Sequence, residues 1–259
     1  MTLQVARDGA VTRLFLDRPD VRNAFNGELV RALRSTFEAI GADPDVRAVV
    51  VGGHGKAFCA GADLAFMREA AAYTREQNEA DAMVMAEMLS VVDRCPVPVV
   101  ARVHGDCYAG GVGLAAACDI RIAADGMHFA LSEAKLGLLP ATISPYVVRA
   151  MGAAQARRWF VTAERFDARK ALAIGFVHEV VAAEAIDETV DALVGAIVAN
   201  GPQAVRACKR LVQDVEGRAV TAELRADTAK RIADIRASAE GREGVQSFLD
   251  KRRPNWPLP

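Results

Sequence analysis

The sequence predicts a mixed α/β fold that ends in a helical region. Strand and helix signals alternate through the first half of the chain, and the signals after about residue 150 are mainly helical. The length of 259 residues suits one large domain or a core with an appendage. The chain has 52% hydrophobic residues but only 6% aromatic ones, which favours closely packed helices over an aromatic-rich core.

The N-terminal elements are predicted from alternating runs and turn residues. Residues 3–7 and 11–16 alternate in polarity around an Asp-Gly pair, which predicts a β-hairpin. Asn26 is placed to cap a helix that ends near Gly41. The apolar stripe expected on this helix comprises Leu29, Val30, Leu33, Phe37 and Ile40.

The remaining elements follow from β-branched runs and helical periodicity. Further strands are expected at residues 46–51, 99–103, 120–123 and 127–131, and a helix at 75–92. The helices expected in the C-terminal third cover residues 186–197, 204–215, 219–235 and 244–251. No low-complexity linker precedes them, so we expect the helical region to pack onto the core.

Charge and cysteine usage exclude several classes of protein. A formal net charge of -1 argues against a dedicated nucleic-acid binder. The five cysteines include no CxxC pair, which predicts reduced thiols and no zinc site. The uncharged run at residues 136–148 is too short to span a bilayer, and the N-terminus has no signal-peptide pattern. We therefore expect a cytoplasmic protein with no metal, membrane or nucleic-acid partner.

Two glycine- and alanine-rich turns follow predicted strands, at residues 52–64 and 105–114. Such strand-to-helix turns leave backbone N–H groups unpaired and let a ligand approach the main chain. Two converging N–H groups would form an oxyanion hole, although each turn taken alone is more typical of an ordinary tight turn.

A third segment, residues 127–140, contains one carboxylate among apolar residues. Partial burial of Glu133 would raise its pKa and suit proton transfer near neutral pH. The alternative is an exposed glutamate at a turn, paired with Lys135. The four histidines show no ligand or triad spacing, which favours ordinary turn or core roles.

Taken together, these segments resemble the enoyl-CoA hydratase/isomerase (crotonase) superfamily over nearly the whole chain. The matching stretches are residues 16–26, 56–64, 110–119, 129–140 and 243–252. The resemblance implies a crotonase-like spiral of ββα units at residues 1–195 and a helical region at 196–259 that mediates oligomerisation. It also implies an acyl-CoA thioester substrate, with coenzyme A as part of the substrate and no separate cofactor, and a homotrimer or hexamer.

The resemblance also implies roles for particular residues. The N–H groups of Ala62 and Gly110 correspond to the oxyanion hole, and Glu133 corresponds to a catalytic acid/base. The residues that correspond to coenzyme A or substrate contacts are Ala60, Asp63, Leu64, Gly111, Phe248 and Lys251. Arg22 is a weaker candidate for this role, and the charged tail 251–253 is equally compatible with a solvated surface.

The chain departs from the family's two-glutamate hydratases at one position. The first glutamate falls on Gly113, twenty positions before Glu133. We expect this glycine to allow close helix packing and to leave a wider pocket. Glu133 could act alone, or a second acid, a bound water or the substrate's own carboxylate could complete the site.

The expected reaction is hydration of the 2,3 double bond of an acyl-CoA. The alternatives are a Δ3-Δ2 enoyl-CoA isomerase, which needs one carboxylate, and a non-catalytic acyl-CoA-binding protein. Residues 112–119, 131–133, 138–148 and 162–168 resemble bacterial methylglutaconyl-CoA hydratases of leucine breakdown and related isoprenoid-degrading enzymes. This similarity favours a branched acyl group.

Overall fold

Two β-sheets lie at the centre of the molecule in the computed structural model, which describes residues 2–256. The strands are β1 (Leu3–Asp8), β2 (Val11–Leu16), β3 (Ala48–Gly53), β4 (Ala57–Cys59), β5 (Val99–Val103), β6 (Asp106–Tyr108), β7 (Ile120–Ala124), β8 (His128–Ala130), β9 (Arg165–Asp167) and β10 (Glu179–Val181). The larger sheet has the order β1-β2-β3-β5-β7-β10, and the smaller has the order β4-β6-β8-β9.

The helices surround these sheets and make up most of the second half of the chain. They are α1 (Gly27–Ala42), α2 (Leu64–Ala70), α3 (Arg75–Asp93), α4 (Gly110–Ala117), α5 (Ser144–Thr162), α6 (Ala168–Ala173), α7 (Ile186–Ala199), α8 (Pro202–Val215), α9 (Ala222–Ala237) and α10 (Ala239–Leu249). Short 3-10 helices cover Pro19–Val21, Glu133–Leu136 and Ala183–Ala185. No helix within residues 2–256 is long and apolar enough to cross a membrane.

A repeated pair of strands generates the spiral. β3, β5 and β7 are parallel neighbours in the larger sheet, while β4, β6 and β8 are parallel neighbours in the smaller one. Each pair therefore advances one strand in both sheets before the chain enters a helical segment. Each pair of strands follows the same route through the two sheets. The turns that connect the smaller sheet to the helices are therefore neighbours in space.

The larger sheet is buried on both faces. Val49 and Val51 of β3 belong to a core shared with α1, whereas Val50 belongs to a second core shared with α7. Alternating side chains point to opposite faces of a strand, so a run of valines supplies both cores. The predicted β-hairpin and α1 are confirmed, and the Asn26 side chain accepts a hydrogen bond from Leu29 N at 2.9 Å.

Several element boundaries differ from the sequence prediction. The predicted strand 46–51 forms at Ala48–Gly53, because β3 pairs along its whole length with β2. The helix predicted at 219–235 forms at Ala222–Ala237, after Thr221 caps it. The final helix begins five residues earlier than predicted, where Ser238 caps the N–H of Gly241 at 3.0 Å.

The C-terminal helices are attached to the core by buried polar contacts. Lys209 of α8 pairs with Asp119 at 2.7 Å and donates to the carbonyl of Val97 at 3.1 Å. Glu240 is 2% exposed, and its carboxylate accepts from the N–H groups of Gln203 and Ala204 at 2.9 and 2.7 Å. These contacts join α8 to the core and α10 to α8. Residue 195, the predicted boundary, lies within α7.

Candidate active site

The N-terminal motif fixes the loops beneath the site. Asn23 is fully buried, and its side-chain amide donates to the carbonyls of His54 and Ala57, both at 2.8 Å. Arg18 pairs with Asp63 at 2.7 Å, and the other oxygen of Asp63 accepts from Ala65 N at the start of α2. The motif is therefore structural: it connects the hairpin to the first glycine-rich turn.

The first turn presents an unpaired N–H group. Phe25 N donates to Gly61 O at 2.7 Å, and Asp63 N donates to Phe25 O at 2.9 Å. This pairing skips Ala62, whose N–H donates to no other group within residues 2–256. Gly61 has φ +91°, which a residue with a side chain adopts only at a cost, so glycine fixes the direction of the turn.

The second turn presents another unpaired N–H group beside the first. Ala109 has φ 48° and ψ −118°, a strained conformation for a non-glycine residue, and its N–H donates to Ala130 O at 2.8 Å. This turn places Gly110 at the start of α4, where its N–H has no acceptor in the described part of the chain. A Cβ atom built on Gly61 would lie only 3.6 Å from Gly110 N, so the two turns are in contact.

A cavity of about 460 Å³ opens in front of these turns. Among the predicted site residues, it is lined by Ala60, Ala62, Leu64, Gly110 and Glu133. The structure thus brings a carboxylate and two free backbone N–H groups to one cavity. Donors of this kind stabilise an oxygen that gains negative charge during a reaction.

Glu133 is the first residue of the short 3-10 helix Glu133–Leu136. Its Oε2 atom is buried and has no hydrogen-bond partner within residues 2–256. Burial raises the pKa of this carboxyl above its ordinary value of 4.5, because the charged form loses solvation. A carboxyl group in this environment holds its proton more readily than an exposed one, which suits a general acid.

The other predicted contact residues do not line this cavity. Asp63 is 7% exposed, and hydrogen bonding to Arg18 holds the pKa of its carboxyl below the ordinary range. Gly111 is buried against Cys59, whose carbonyl oxygen would lie 2.6 Å from a Cβ at that position. Phe248 is 82% exposed on α10, and Lys251 lies just after that helix. A role for these residues toward coenzyme A stays a prediction.

Gly113 does not leave the wider pocket that we expected from the sequence. A Cβ atom at this position would lie 2.1 Å from Cγ2 and 2.6 Å from Cβ of Ile143. The side chain of Ile143, at the start of α5, therefore fills the space, and it also lines the cavity. The close packing of α4 that we expected is present, but no side chain of any kind fits at Gly113.

We predict that Gly113→Ala lowers the free energy of unfolding by about 1–3 kcal/mol, the usual cost of overpacking a core. Urea unfolding monitored by circular dichroism measures this change. Gly195→Ala on α7 is the control, since nothing lies within 4 Å of its added Cβ. Equal stability of the two variants would contradict the close packing at Gly113.

Sequence reasoning missed two charged residues that line the cavity, Arg31 of α1 and Asp81 of α3. Both helices were predicted, and the spacing of residues along them shows which side chains share a helix face. Asp81 lies four residues before Met85, and Arg31 lies four residues after Gly27, so each pair shares a helix face. The missing information was which face of each helix the cavity would contact.

Other reactive side chains stand apart from the cavity. None of the four histidines, all within the described residues, lines it. Cys59 lies next to the first turn, but complete burial raises the pKa of its thiol to about 12. The part of the chain from residue 2 to 256 contains no group of three His, Cys, Asp or Glu side chains that could hold a metal ion.

Comparison with solved structures defines the class of protein. A Shewanella pealeana enoyl-CoA hydratase superposes with a TM-score of 0.95 and 39% identity, covering 99% of this chain and 96% of the other. A Mycobacterium smegmatis enoyl-CoA hydratase superposes with a TM-score of 0.94 and 36% identity, covering 99% of both chains. The predicted crotonase-like fold is confirmed.

The sequence comparisons agree with the structural ones. The family model described as enoyl-CoA hydratase/isomerase matches residues 6–258. A crotonyl-CoA hydratase from Syntrophomonas wolfei is 31% identical over 250 residues, which are 94% of this chain and 93% of the relative. The chain belongs to the enoyl-CoA hydratase/isomerase family, and the prediction that it is an enzyme of this class is confirmed.

Proposed function

We propose that the protein hydrates the 2,3 double bond of an acyl-CoA thioester. The observation that carries this proposal is one cavity bounded by the buried Oε2 of Glu133 and the unpaired N–H groups of Ala62 and Gly110. The names of the relatives are consistent with it. Coenzyme A enters as part of the substrate, and the chemistry needs no further cofactor.

The two N–H groups bind the thioester oxygen and stabilise its negative charge. When the oxygen of water bonds to C3, the π electrons move through C2 toward the thioester oxygen and form an enolate. A proton from Glu133 then reaches C2, and the proton lost by water restores the carboxyl group. The raised pKa of Glu133 favours the protonated form that delivers a proton to C2.

An isotope experiment separates hydration from isomerisation. With a 2-enoyl-CoA in ¹⁸O-labelled water, we expect label in the 3-hydroxyacyl product. A 3-enoyl-CoA that becomes a 2-enoyl-CoA without incorporating label would support an isomerase instead. The filled space at Gly113 makes isomerisation the second candidate, because that reaction needs a single carboxylate.

We further propose that the acyl group is branched and ends in a carboxylate, as in methylglutaconyl-CoA. Arg31 supports this proposal. Its guanidinium nitrogen Nη1 lies 3.0 Å from the Cβ position of Gly27, so the side chain folds back along α1 toward the N-terminal turn that also lines the cavity. The Arg31 side chain is exposed and makes no hydrogen bond or ion pair within residues 2–256. A substrate carboxylate would provide one.

Arg31→Met tests the carboxylate site because it keeps much of the side-chain length and removes the charge. We expect kcat/KM for methylglutaconyl-CoA to fall about 10–100-fold, the value of a hydrogen bond to a charged group. Crotonyl-CoA, which has no distal carboxylate, should react at nearly the wild-type rate. An equal loss with both substrates would place Arg31 in coenzyme A binding instead.

We propose that the C-terminal helices mediate self-association into a trimer or hexamer. Support comes from apolar side chains that α10 exposes to solvent in the single chain, Val245, Phe248 and Leu249. Light scattering after size exclusion should give three or six times the mass of 27.6 kDa. A monomer at micromolar concentration would contradict this proposal.

A further inference from the structure

Ile143 forms part of the cavity wall beside α4. It is 2% exposed and comes directly before the first residue of α5. Gly110, Glu133 and Ile143 line the cavity, whereas Gly113 does not. Gly113 follows Gly110 by three residues on α4, a rise of about 4.5 Å, so the two glycines lie on nearly the same helix face. Ile143 therefore covers α4 just beyond the donor that we assign to the thioester oxygen.

The helix that begins after Ile143 contacts both reactive elements of the site. α5 packs against α4, which carries the N–H donor of Gly110, and against the 3-10 helix that carries Glu133. In the proposed reaction, C2 and C3 lie between these two groups, because the donor holds the thioester oxygen and Glu133 delivers a proton to C2. A cavity-lining residue at the start of α5 is therefore suited to contact a substituent at C3.

The backbone around Ile143 is held on both sides. Val147, one turn along α5, is fully buried, and its N–H donates to the carbonyl of Ile143 at 3.1 Å. The N–H and the hydroxyl of Ser144 donate to the carbonyl of Ala141 at 3.1 and 2.8 Å. A closely packed side chain on a fixed backbone cannot move aside without cost. Ile143 is therefore suited to exclude volume from the cavity.

Positions 113 and 143 compete for the same space. A Cβ atom built on Gly113 would lie 2.1 Å from Cγ2, 2.6 Å from Cβ and 3.6 Å from Cα of Ile143. The first two distances are shorter than any real contact, and the third is an ordinary van der Waals contact. A side chain at 113 thus needs glycine at 143, and the isoleucine at 143 needs glycine at 113.

We propose that Ile143 is a specificity-determining residue that limits the size of the acyl substituent at C3, and that Gly113 provides the space it occupies. This inference depends on the proposed acyl-CoA site and deepens it. The substrate class is then a 2-enoyl-CoA with a small branch at C3, and the pair of residues sets the upper limit on that branch.

Ile143→Ala tests the specificity. The ratio of kcat/KM for 3-ethyl-2-pentenoyl-CoA to that for 3-methylcrotonyl-CoA should rise about tenfold or more, the discrimination that a methylene gives in an apolar pocket. Ile143→Val keeps both γ carbons and loses only Cδ1, so it should raise this ratio less. Val147→Ala is the matched control, because it truncates a buried side chain that does not line the cavity. It should leave the ratio unchanged.

Urea unfolding tests the competition for space independently of activity. Gly113→Ala should lower the urea midpoint by the same amount in the wild-type protein and in Ile143→Val, which retains the γ carbons. The decrease should be smaller in Ile143→Ala, which loses Cγ2 but keeps Cβ, and absent in Ile143→Gly, which loses both. Circular dichroism establishes that each starting variant is folded.

Three results would overturn the assignment: an unchanged ratio in folded Ile143→Ala, an equal rise in Val147→Ala, or one constant effect of Gly113→Ala in all four backgrounds. Failure of the proposed function looks different, because the wild-type protein then hydrates neither substrate. Exchange of the C2 protons of 3-methylbutyryl-CoA and 3-ethylpentanoyl-CoA with D₂O, and calorimetric dissociation constants of both thioesters, then measure the same selectivity. Ile143→Ala should still favour the bulkier thioester.

Discussion

Glu133→Gln is expected to lower kcat for hydration by about 10²–10⁴-fold, the usual contribution of a positioned acid or base. The amide keeps the shape of the carboxyl group but cannot carry the proton to C2. KM should change much less, because most of the cavity wall and both backbone donors are unaltered. Steady-state kinetics that follow the ultraviolet absorbance of the enoyl thioester measure both constants.

Glu184→Gln provides a matched control for this variant. Glu184 also lies in the first turn of a 3-10 helix, but it is exposed and does not line the cavity. Its replacement should leave kcat unchanged. If Glu133→Gln retained full activity, the enzyme would use another acid. If wild type and variant both bound acyl-CoA without hydrating it, the chain would be a binding protein.

The same variant makes a separate prediction for stability. Burial raises the pKa of Glu133 in the folded chain above the ordinary value of 4.5. Protonation therefore stabilises the fold at low pH, and this stabilisation is lost as the pH rises through the folded-state pKa. Glutamine does not titrate, so Glu133→Gln should unfold at a higher urea concentration than wild type near pH 7. The difference should vanish below about pH 4.5.

The main elements of the fold could be predicted because their signals are local. The hairpin, α1 and α3 have alternating or helical patterns that the structure reproduces. The strands of the smaller sheet could not all be predicted, since β4, β6, β8 and β9 have only three residues each. Such strands are too short to show a recognisable periodicity.

The backbone donors of the site could be predicted from the sequence, but several side chains that line the cavity could not. The glycine-rich turns predict free N–H groups because a turn after a strand leaves them unpaired, and the family resemblance assigns these groups to Ala62 and Gly110. The filled space at Gly113 depends on Ile143, thirty residues away in sequence, and no local pattern indicates that contact. Asp81 was missed for the same reason: its helix was predicted, but the surface facing its carboxylate comes from other elements.

Gly110→Val is expected to lower kcat/KM by about 10²–10³-fold, the cost of losing an oxyanion donor. The backbone N–H cannot be removed by mutation, but its approach can be blocked. A Cβ at this position would already lie 3.1 Å from the ring of Phe25 and 3.3 Å from Cε of Met85. The branched side chain of valine adds two methyl groups to this crowded space.

Displacement of the Phe25 ring by the valine is also expected to disturb the second donor, the N–H group of Ala62. Phe25 is bonded on both sides of Ala62, through Gly61 O at 2.7 Å and Asp63 N at 2.9 Å. Pushing the ring therefore moves the segment that orients the Ala62 N–H group. We expect Gly110→Val to suppress hydration and C2 proton exchange together, because both reactions pass through the same enolate.

Two further variants, a smaller substitution at Gly110 and a substitution at a distant glycine, serve as comparisons. Gly110→Ala should show an intermediate loss, since Phe25 and Met85 need to move by only a few tenths of an ångström. Gly195→Val, in open space on α7, should leave both rates unchanged. Loss of hydration with normal proton exchange in Gly110→Val would mean that this N–H group does not hold the enolate oxygen. The acyl group would then be the part of the substrate that the valine obstructs.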